Sequence, residues 1–306
     1  MRAGRVALDM PRRMIFIQGM LLRAVLLVVS LLVLLQPAHA LEFGPLKDRL
    51  FAYAALLESS PDGGFRRFEY DEIRDVNGRD RDPGRRALSK YVLRVPGGVK
   101  QRRIETPAGR IPYMQAGRDA GRATMLMVYI HGNGGNLKQG VDTRTFGGNF
   151  GRVMSLVVKA GGRYVSPGFS DFGATGAAQI GALLADQRRA NPGAKIVLSC
   201  GSQGSLLCWR LAREPATTGL VDGLVLLGGT GDSDYQRARR ARRVALIPIV
   251  FAHGSRDIVF DWQNVRRQAD ALRAAGGRVR MDLFDTGIHG TPIRMIDWRD
   301  TLNWML

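Results

Sequence analysis

The chain is poor in several residue types at once. Of its 306 residues, two are cysteine, four histidine and four tryptophan. Two cysteines cannot build the multi-bridge framework of a small disulfide-stapled domain, and no His/Cys spacing matches a zinc site. Lysine is scarce too: six of the 45 basic residues are lysine, which leaves 39 arginines. Neither G-x-x-x-x-G-K-[ST] nor G-x-G-x-x-G occurs, so the two commonest phosphate-cradling signatures are missing. The longest apolar run, residues 24–35, falls short of the roughly 20 residues of a membrane span. No internal repeat or low-complexity block is visible. What is present is 45% apolar and 24% charged sequence with a net charge of +18, a composition that excludes intrinsic disorder. The length suits one large α/β domain or two small ones.

At the start, Arg12, Arg13 and Arg23 precede the apolar run AVLLVVSLLVLL, and Ala38-His39-Ala40 follows it. This order of basic, apolar and A-x-A segments predicts a secretory signal peptide over residues 1–40, cleaved after Ala40, with an uncleaved anchor as the alternative. The expected location is periplasmic or secreted. Residues 1–40 hold five Arg and one Asp, a net +4, so the rest carries 18 − 4 = +14. Its arginines are scattered and belong to no recognisable nucleic-acid module, so no nucleic-acid partner is expected. The densest cluster is Arg237, Arg239, Arg240, Arg242 and Arg243. It reads either as the solvated face of a short helix or as a contact for anionic headgroups or polymer near the active-site face.

Residues 46–57 place Leu46, Leu50, Phe51, Ala54 and Leu57 at helical spacing. Residues 61–90 are polar and read as loop or weak strand. The expected division is therefore a signal peptide (1–40), an N-terminal extension (41–90) and a main domain (91–306). Residues 91–95 and 101–114 read as strands, the latter turning at Pro107-Ala108-Gly109. From residue 123 the pattern is regular. Strands are predicted at 125–130, 163–167, 195–200, 223–227, 245–252 and 278–284. Helices are predicted at 150–160, 175–190, 203–213, 261–275 and 292–306. Such alternation predicts an α/β fold, a doubly wound, mostly parallel sheet. Ligands of such sheets bind beyond the carboxyl ends of the strands.

Four of those ends carry suggestive residues. Cys200-Gly201-Ser202-Gln203-Gly204 joins a strand to a helix, and a serine among small residues can expose its hydroxyl on a sharp turn there. His131-Gly132-Asn133-Gly134-Gly135-Asn136 follows the strand MLMVYI, and a glycine-rich loop lets backbone N–H groups approach a developing oxyanion. Asp257 lies just past the strand IPIVFA, where it is either a partner for catalysis or a simple turn cap. His289 follows the strand RVRMDLF. His39 lies in the predicted signal peptide. His131 and His253 each precede a glycine at a strand end and are read as loop-ordering residues, so His289 is the best candidate base.

These four segments, spread over 123–306, together resemble the α/β-hydrolase superfamily, in particular its esterase-, lipase- and serine-aminopeptidase-like members. The order Ser202…Asp257…His289 matches the Ser…Asp/Glu…His order of that superfamily. The resemblance implies Ser202 as nucleophile, His289 as general base and Asp257 as the residue that orients it. It implies an oxyanion hole from the N–H groups of Gln203 and Asn133, no metal or organic cofactor, and a small-molecule or lipid-like acyl substrate. Cys200 stands where the family pattern has glycine, which puts the strain of the turn in question. Cys200 at a strand end and Cys208 on the next helix are expected to be free thiols. The 17 residues of 228–244 are too few for a separate lid domain, so the site is expected to be open unless 41–90 covers it. The expected activity is cleavage of a carboxylic ester, with amide or thioester as lesser options. A catalytically inactive envelope-binding protein on the same scaffold is the alternative.

Overall fold

The structure, a computed structural model, describes residues 41–81, 84–119, 123–241 and 243–306. The predicted signal peptide and Arg242 lie outside them. In chain order the elements are α1 (Asp48–Phe51), β1 (Leu56–Ser59), β2 (Phe65–Phe68), β3 (Asp80–Arg81), β4 (Arg86–Ala87), β5 (Val99–Thr106), β6 (Gly109–Gly117), β7 (Met125–Ile130), α2 (Asn149–Lys159), β8 (Arg163–Pro167), α3 (Ala174–Ala190), β9 (Lys195–Gly201), α4 (Gly204–Arg213), β10 (Gly223–Leu227), α5 (Ser233–Arg240), β11 (Ile249–Gly254), α6 (Trp262–Ala274), β12 (Val279–Phe284), α7 (Thr291–Met295) and α8 (Trp298–Met305).

Ten strands form one sheet in the order β1-β2-β12-β11-β10-β9-β7-β8-β6-β5. The seven from β2 to β8 run parallel, and β1, β6 and β5 pair antiparallel at the edges. The centre explains the apolar runs. All six residues of β7 are buried, and its side chains alternate between two cores. Leu126, Val128 and Ile130 pack with α3 and α4 residues such as Ile180, Leu184 and Leu207. Met125, Met127 and Tyr129 pack on the other face with Val153 and Met154 of α2 and with Trp298 and Leu302 of α8. Burying each such side chain stabilises the fold by about 1.5–3 kcal/mol. After β8 the chain returns to the other side of β7 to form β9. The carboxyl ends of β7 and β9 therefore flank a switch in strand order, where a crevice opens in such sheets.

The polar stretch 61–90, read as loop or weak strand, supplies one strand of this sheet, β2, and the separate two-stranded β3–β4 sheet. β2 lies parallel to β12 although two of its four residues are arginines. Their charges are met in place: Arg66 donates to Asp282 at 2.8 and 3.0 Å and to Asp300 at 2.8 Å, and Arg67 to Asp285 at 2.7 Å. The helix expected over 46–57 is one turn only, because Ala52 is extended and leads toward β1. Residues 91–95 are not a strand: Leu93 and Tyr91 pack instead with Phe51 in a small satellite core. The helix expected over 292–306 is two helices, broken where the Asp297 carboxylate caps α8 by accepting from the N–H groups of Arg299 and Asp300.

Arg152 of α2 ties the first described residues to the core. It is fully buried, with Nη1 2.8 Å from Asp297, Nη2 3.0 Å from Asp48 and Nε donating to the Leu46 carbonyl. Removing one member of a buried ion pair strands the other charge. Arg152→Met is therefore expected to lower the urea unfolding free energy by about 3–5 kcal/mol, checked by the denaturation midpoint at unchanged slope.

Candidate active site

Ser202 follows the last residue of β9 and precedes α4. Its φ is +51°, a left-handed conformation that costs a non-glycine residue about 1–3 kcal/mol and persists only where the surroundings enforce it. Here its N–H donates to the Leu227 carbonyl of β10 at 2.9 Å. Two glycines let neighbouring backbone close in. A Cβ on Gly204 would lie 2.6 Å from the Ile130 carbonyl oxygen, and one on Gly132 would lie 2.8 Å from Ser202 Cβ. The turn thus keeps its strained geometry with Cys200 in place of the family's glycine.

The Ser202 hydroxyl Oγ lies 2.8 Å from His289 Nε2, and His289 Nδ1 lies 2.8 Å from Asp257 Oδ2. Three residues separated by up to 87 positions thus form one hydrogen-bonded chain. The Asp257 side chain is fully buried, and that of His289 is 28% exposed. Burial alone would push the Asp257 carboxyl up. Hydrogen bonds from His253, His289 and the amides of Phe260 and Val259 outweigh it and hold the carboxyl well below the usual carboxylate range. Asp257 therefore stays ionised beside the imidazole at neutral pH.

The loop after β7 lies against this turn. Gly135 N–H donates to the Gly132 carbonyl at 3.1 Å, closing a turn with Asn133 and Gly134 (φ +73°) at its centre. Neither Asn133 nor Gln203 donates its backbone N–H to a described residue. The Gln203 N–H also lies at the N-terminus of α4, where the helix dipole concentrates positive charge. His131 orders the loop: its ring stacks on Phe169 with centroids 4.3 Å apart, Nδ1 meets the Gly132 carbonyl at 2.9 Å, and burial lowers its pKa.

Three features of the site were not legible in the sequence. The first is His253, whose Nε2 lies 3.2 Å from Asp257 Oδ2 and 2.8 Å from the Phe260 carbonyl. The spacing of four between the two residues was its only trace. The second is the reach of the N-terminal segment. Thr286 Oγ1 donates to the Tyr70 carbonyl at 3.2 Å, and Tyr70 helps line a cavity of about 240 Å³ with Phe146, Ile288, Gly290 and Arg294, beside His289. Phe146 holds φ +47° there. The third is a correction: Cys200 and Cys208 are joined in a disulfide rather than free. α4 doubles back over β9, which brings the two Cα atoms to 6.5 Å across the Ser202 turn. Unfolded, unreduced protein is expected to show no thiol reactive with a chromogenic disulfide reagent, and reduced protein two.

Among the described residues, the connection after β10 contains α5 and no lid domain. Arg239 Nη2 donates to the carbonyl of Ala275, which ends α6 and precedes the amino end of β12. Arg239 is thus tied to the carboxyl end of α6. Arg237 is paired with Asp234 on its own helix.

No protein-family model and no curated protein matches the chain. Solved structures do. A thermostable esterase superposes with a TM-score of 0.55 at 19% identity, over 69% of this chain and 63% of that one. A protein of unknown function from Agrobacterium tumefaciens, assigned to the α/β hydrolases, gives 0.51 at 13% identity, over 67% and 93%. A Pyrococcus furiosus esterase gives 0.50 at 12% identity, over 68% and 91%. Together with the strand order and the turn after β9, these likenesses establish that the chain has the α/β-hydrolase fold.

Proposed function

We propose that this protein is an exported serine hydrolase that cleaves a carboxylic ester through an acyl-enzyme. The observation that carries the reading is the unbroken chain from Ser202 Oγ to His289 Nε2, and from His289 Nδ1 to Asp257 Oδ2, with 2.8 Å at both links. In this reading Ser202 Oγ attacks the acyl carbon while its proton passes to His289 Nε2. The resulting imidazolium is stabilised by the buried Asp257 carboxylate. The N–H groups of Gln203 and Asn133, free of partners among the described residues, receive the oxyanion. The alcohol leaves with the proton from His289, and water, activated by the same nitrogen, resolves the acyl-enzyme.

The surroundings favour an apolar substrate. Ile258, Val259 and Ile288 flank Asp257 and His289 in the chain and expose 97%, 55% and 49% of their surface. The cavity beside His289 suits a small acyl or alcohol group. The Cys200–Cys208 bridge fits an oxidising compartment, consistent with export to the periplasm or beyond. Arg237, Arg239, Arg240 and Arg243 would supply the contact to an anionic envelope surface.

The test is labelling of the wild-type protein by a fluorophosphonate probe, followed by turnover of p-nitrophenyl esters of increasing acyl length. Labelling with turnover of at least one ester is expected. Folded wild type that neither labels nor turns over any ester would overturn the hydrolase reading, and capture of an envelope component by the Ser202→Ala protein would then favour an inactive binding member of the fold.

A further inference from the structure

Asp257 receives more support than the triad alone requires. Oδ1 accepts the backbone N–H groups of Val259 at 2.8 Å and Phe260 at 3.1 Å. Oδ2 accepts from His289 Nδ1 at 2.8 Å and meets His253 Nε2 at 3.2 Å. The His253 ring is 1% exposed, and the same Nε2 lies 2.8 Å from the Phe260 carbonyl oxygen. A backbone carbonyl and an ionised carboxylate can only accept. The nitrogen between them must therefore carry hydrogen, which fixes His253 as an Nε2–H donor.

The backbone around this carboxylate is already tied down. Arg256 N–H donates to the Gly287 carbonyl at 2.8 Å, and Thr286 N–H donates to Ser255 Oγ at 2.7 Å. A Cβ on Gly254 would lie 2.3 Å from the Gly287 oxygen. The Asp257 and His289 loops are thus held against each other. The remaining freedom is rotation of the carboxylate about its own bond. The two N–H groups on Oδ1 restrain one side of it, and His253 restrains the other.

We infer that His253 is a positioning residue for the reaction at Ser202: its Nε2–H, shared between the Phe260 carbonyl and Asp257 Oδ2, holds the carboxylate in the rotation that presents Oδ2 to His289 Nδ1. The consequence for turnover rests on the serine-hydrolase reading, whereas the hydrogen-bond chain itself does not. His253 acts only through Asp257, so its loss lowers the rate of the chemical step and leaves substrate binding alone. A residue that merely closed the loop would disturb both.

The experiment compares His253→Phe, which keeps the ring and removes the donor, with His253→Gln, which keeps a donor. His253→Phe is expected to lower kcat about ten- to hundredfold, the loss that follows from removing one charge-assisted hydrogen bond, with KM unchanged. It should also displace the low-field proton resonance of the His289–Asp257 hydrogen bond. His253→Gln should recover part of both. In an Asp257→Asn background His253→Phe should cost nothing further, because the two act as a unit. An unchanged kcat in His253→Phe, or an equal loss in both backgrounds, overturns the inference. If His253→Phe does not fold, the ¹⁵N shifts of histidine-labelled wild type decide: a proton on Nε2 supports the assignment and a proton on Nδ1 overturns it. The resonances are read without turnover, so a wild type inert to fluorophosphonate counts against the hydrolase reading and not against this one.

Discussion

Ser202→Ala is expected to abolish fluorophosphonate labelling and to lower kcat on the best p-nitrophenyl ester by roughly 10⁵- to 10⁶-fold. No neighbouring group can stand in. Ser205 is fully buried inside α4, and its hydroxyl accepts the Thr230 N–H at 3.3 Å. Ser199 is 1% exposed within β9. The Ser202 hydroxyl alone combines the strained turn, φ +51°, with an acceptor at 2.8 Å. Alanine keeps the turn's backbone and the disulfide beneath it, so the thermal midpoint should stay within a few degrees of wild type. A variant that still labels stoichiometrically would remove Ser202 from the nucleophile's role.

Asp257→Asn is expected to cost about 10⁴-fold in kcat with little change in KM. The size of the effect follows from donor and acceptor bookkeeping. The carboxylate accepts on both oxygens: two backbone N–H groups on Oδ1 and His289 on Oδ2, with His253 Nε2 3.2 Å from Oδ2. An asparagine offers one acceptor and one donor. If its NH₂ faces Oδ2's partners, His289 must accept at Nδ1. Its proton then moves to Nε2, which can no longer take the proton of Ser202. If the amide turns over, the NH₂ faces two backbone N–H groups in a buried site. Steady-state kinetics on the same ester series check the loss, and the low-field resonance of His289 should disappear. A loss below about tenfold would mean that His289 is oriented by something other than Asp257.

How much of this was legible in the sequence differs from element to element. β7, β9 and β10 were each visible as short, mostly apolar runs because strands buried on both faces have nearly uniform burial. β2 was not, because Arg66 and Arg67 make it polar and their counter-charges, Asp282, Asp300 and Asp285, lie more than 200 residues away. The break within residues 292–306 hung on one capping aspartate, Asp297, in a pattern otherwise helical by spacing. The 41–90 segment looked detachable by composition, yet β2 pairs with β12, and Tyr70 reaches the His289 loop.

The sequence by itself determined the chain order of Ser202, Asp257 and His289, each following a strand, and parallel strands place their carboxyl ends on one edge. It also set the short β10–β11 connection, since chain length alone bounds what can be inserted there. Only the tertiary structure decided that Cys200 and Cys208 pair, because α4 folds back over β9. It placed the buried His253 Nε2 between the Phe260 carbonyl at 2.8 Å and Asp257 Oδ2 at 3.2 Å. It also decided that Arg239 donates to the Ala275 carbonyl, 36 residues away at the end of α6. Strand periodicity and residue order are local and survive in one dimension. Hydrogen-bond partners and facing surfaces are set by which segments the sheet brings together, and a linear pattern does not carry that.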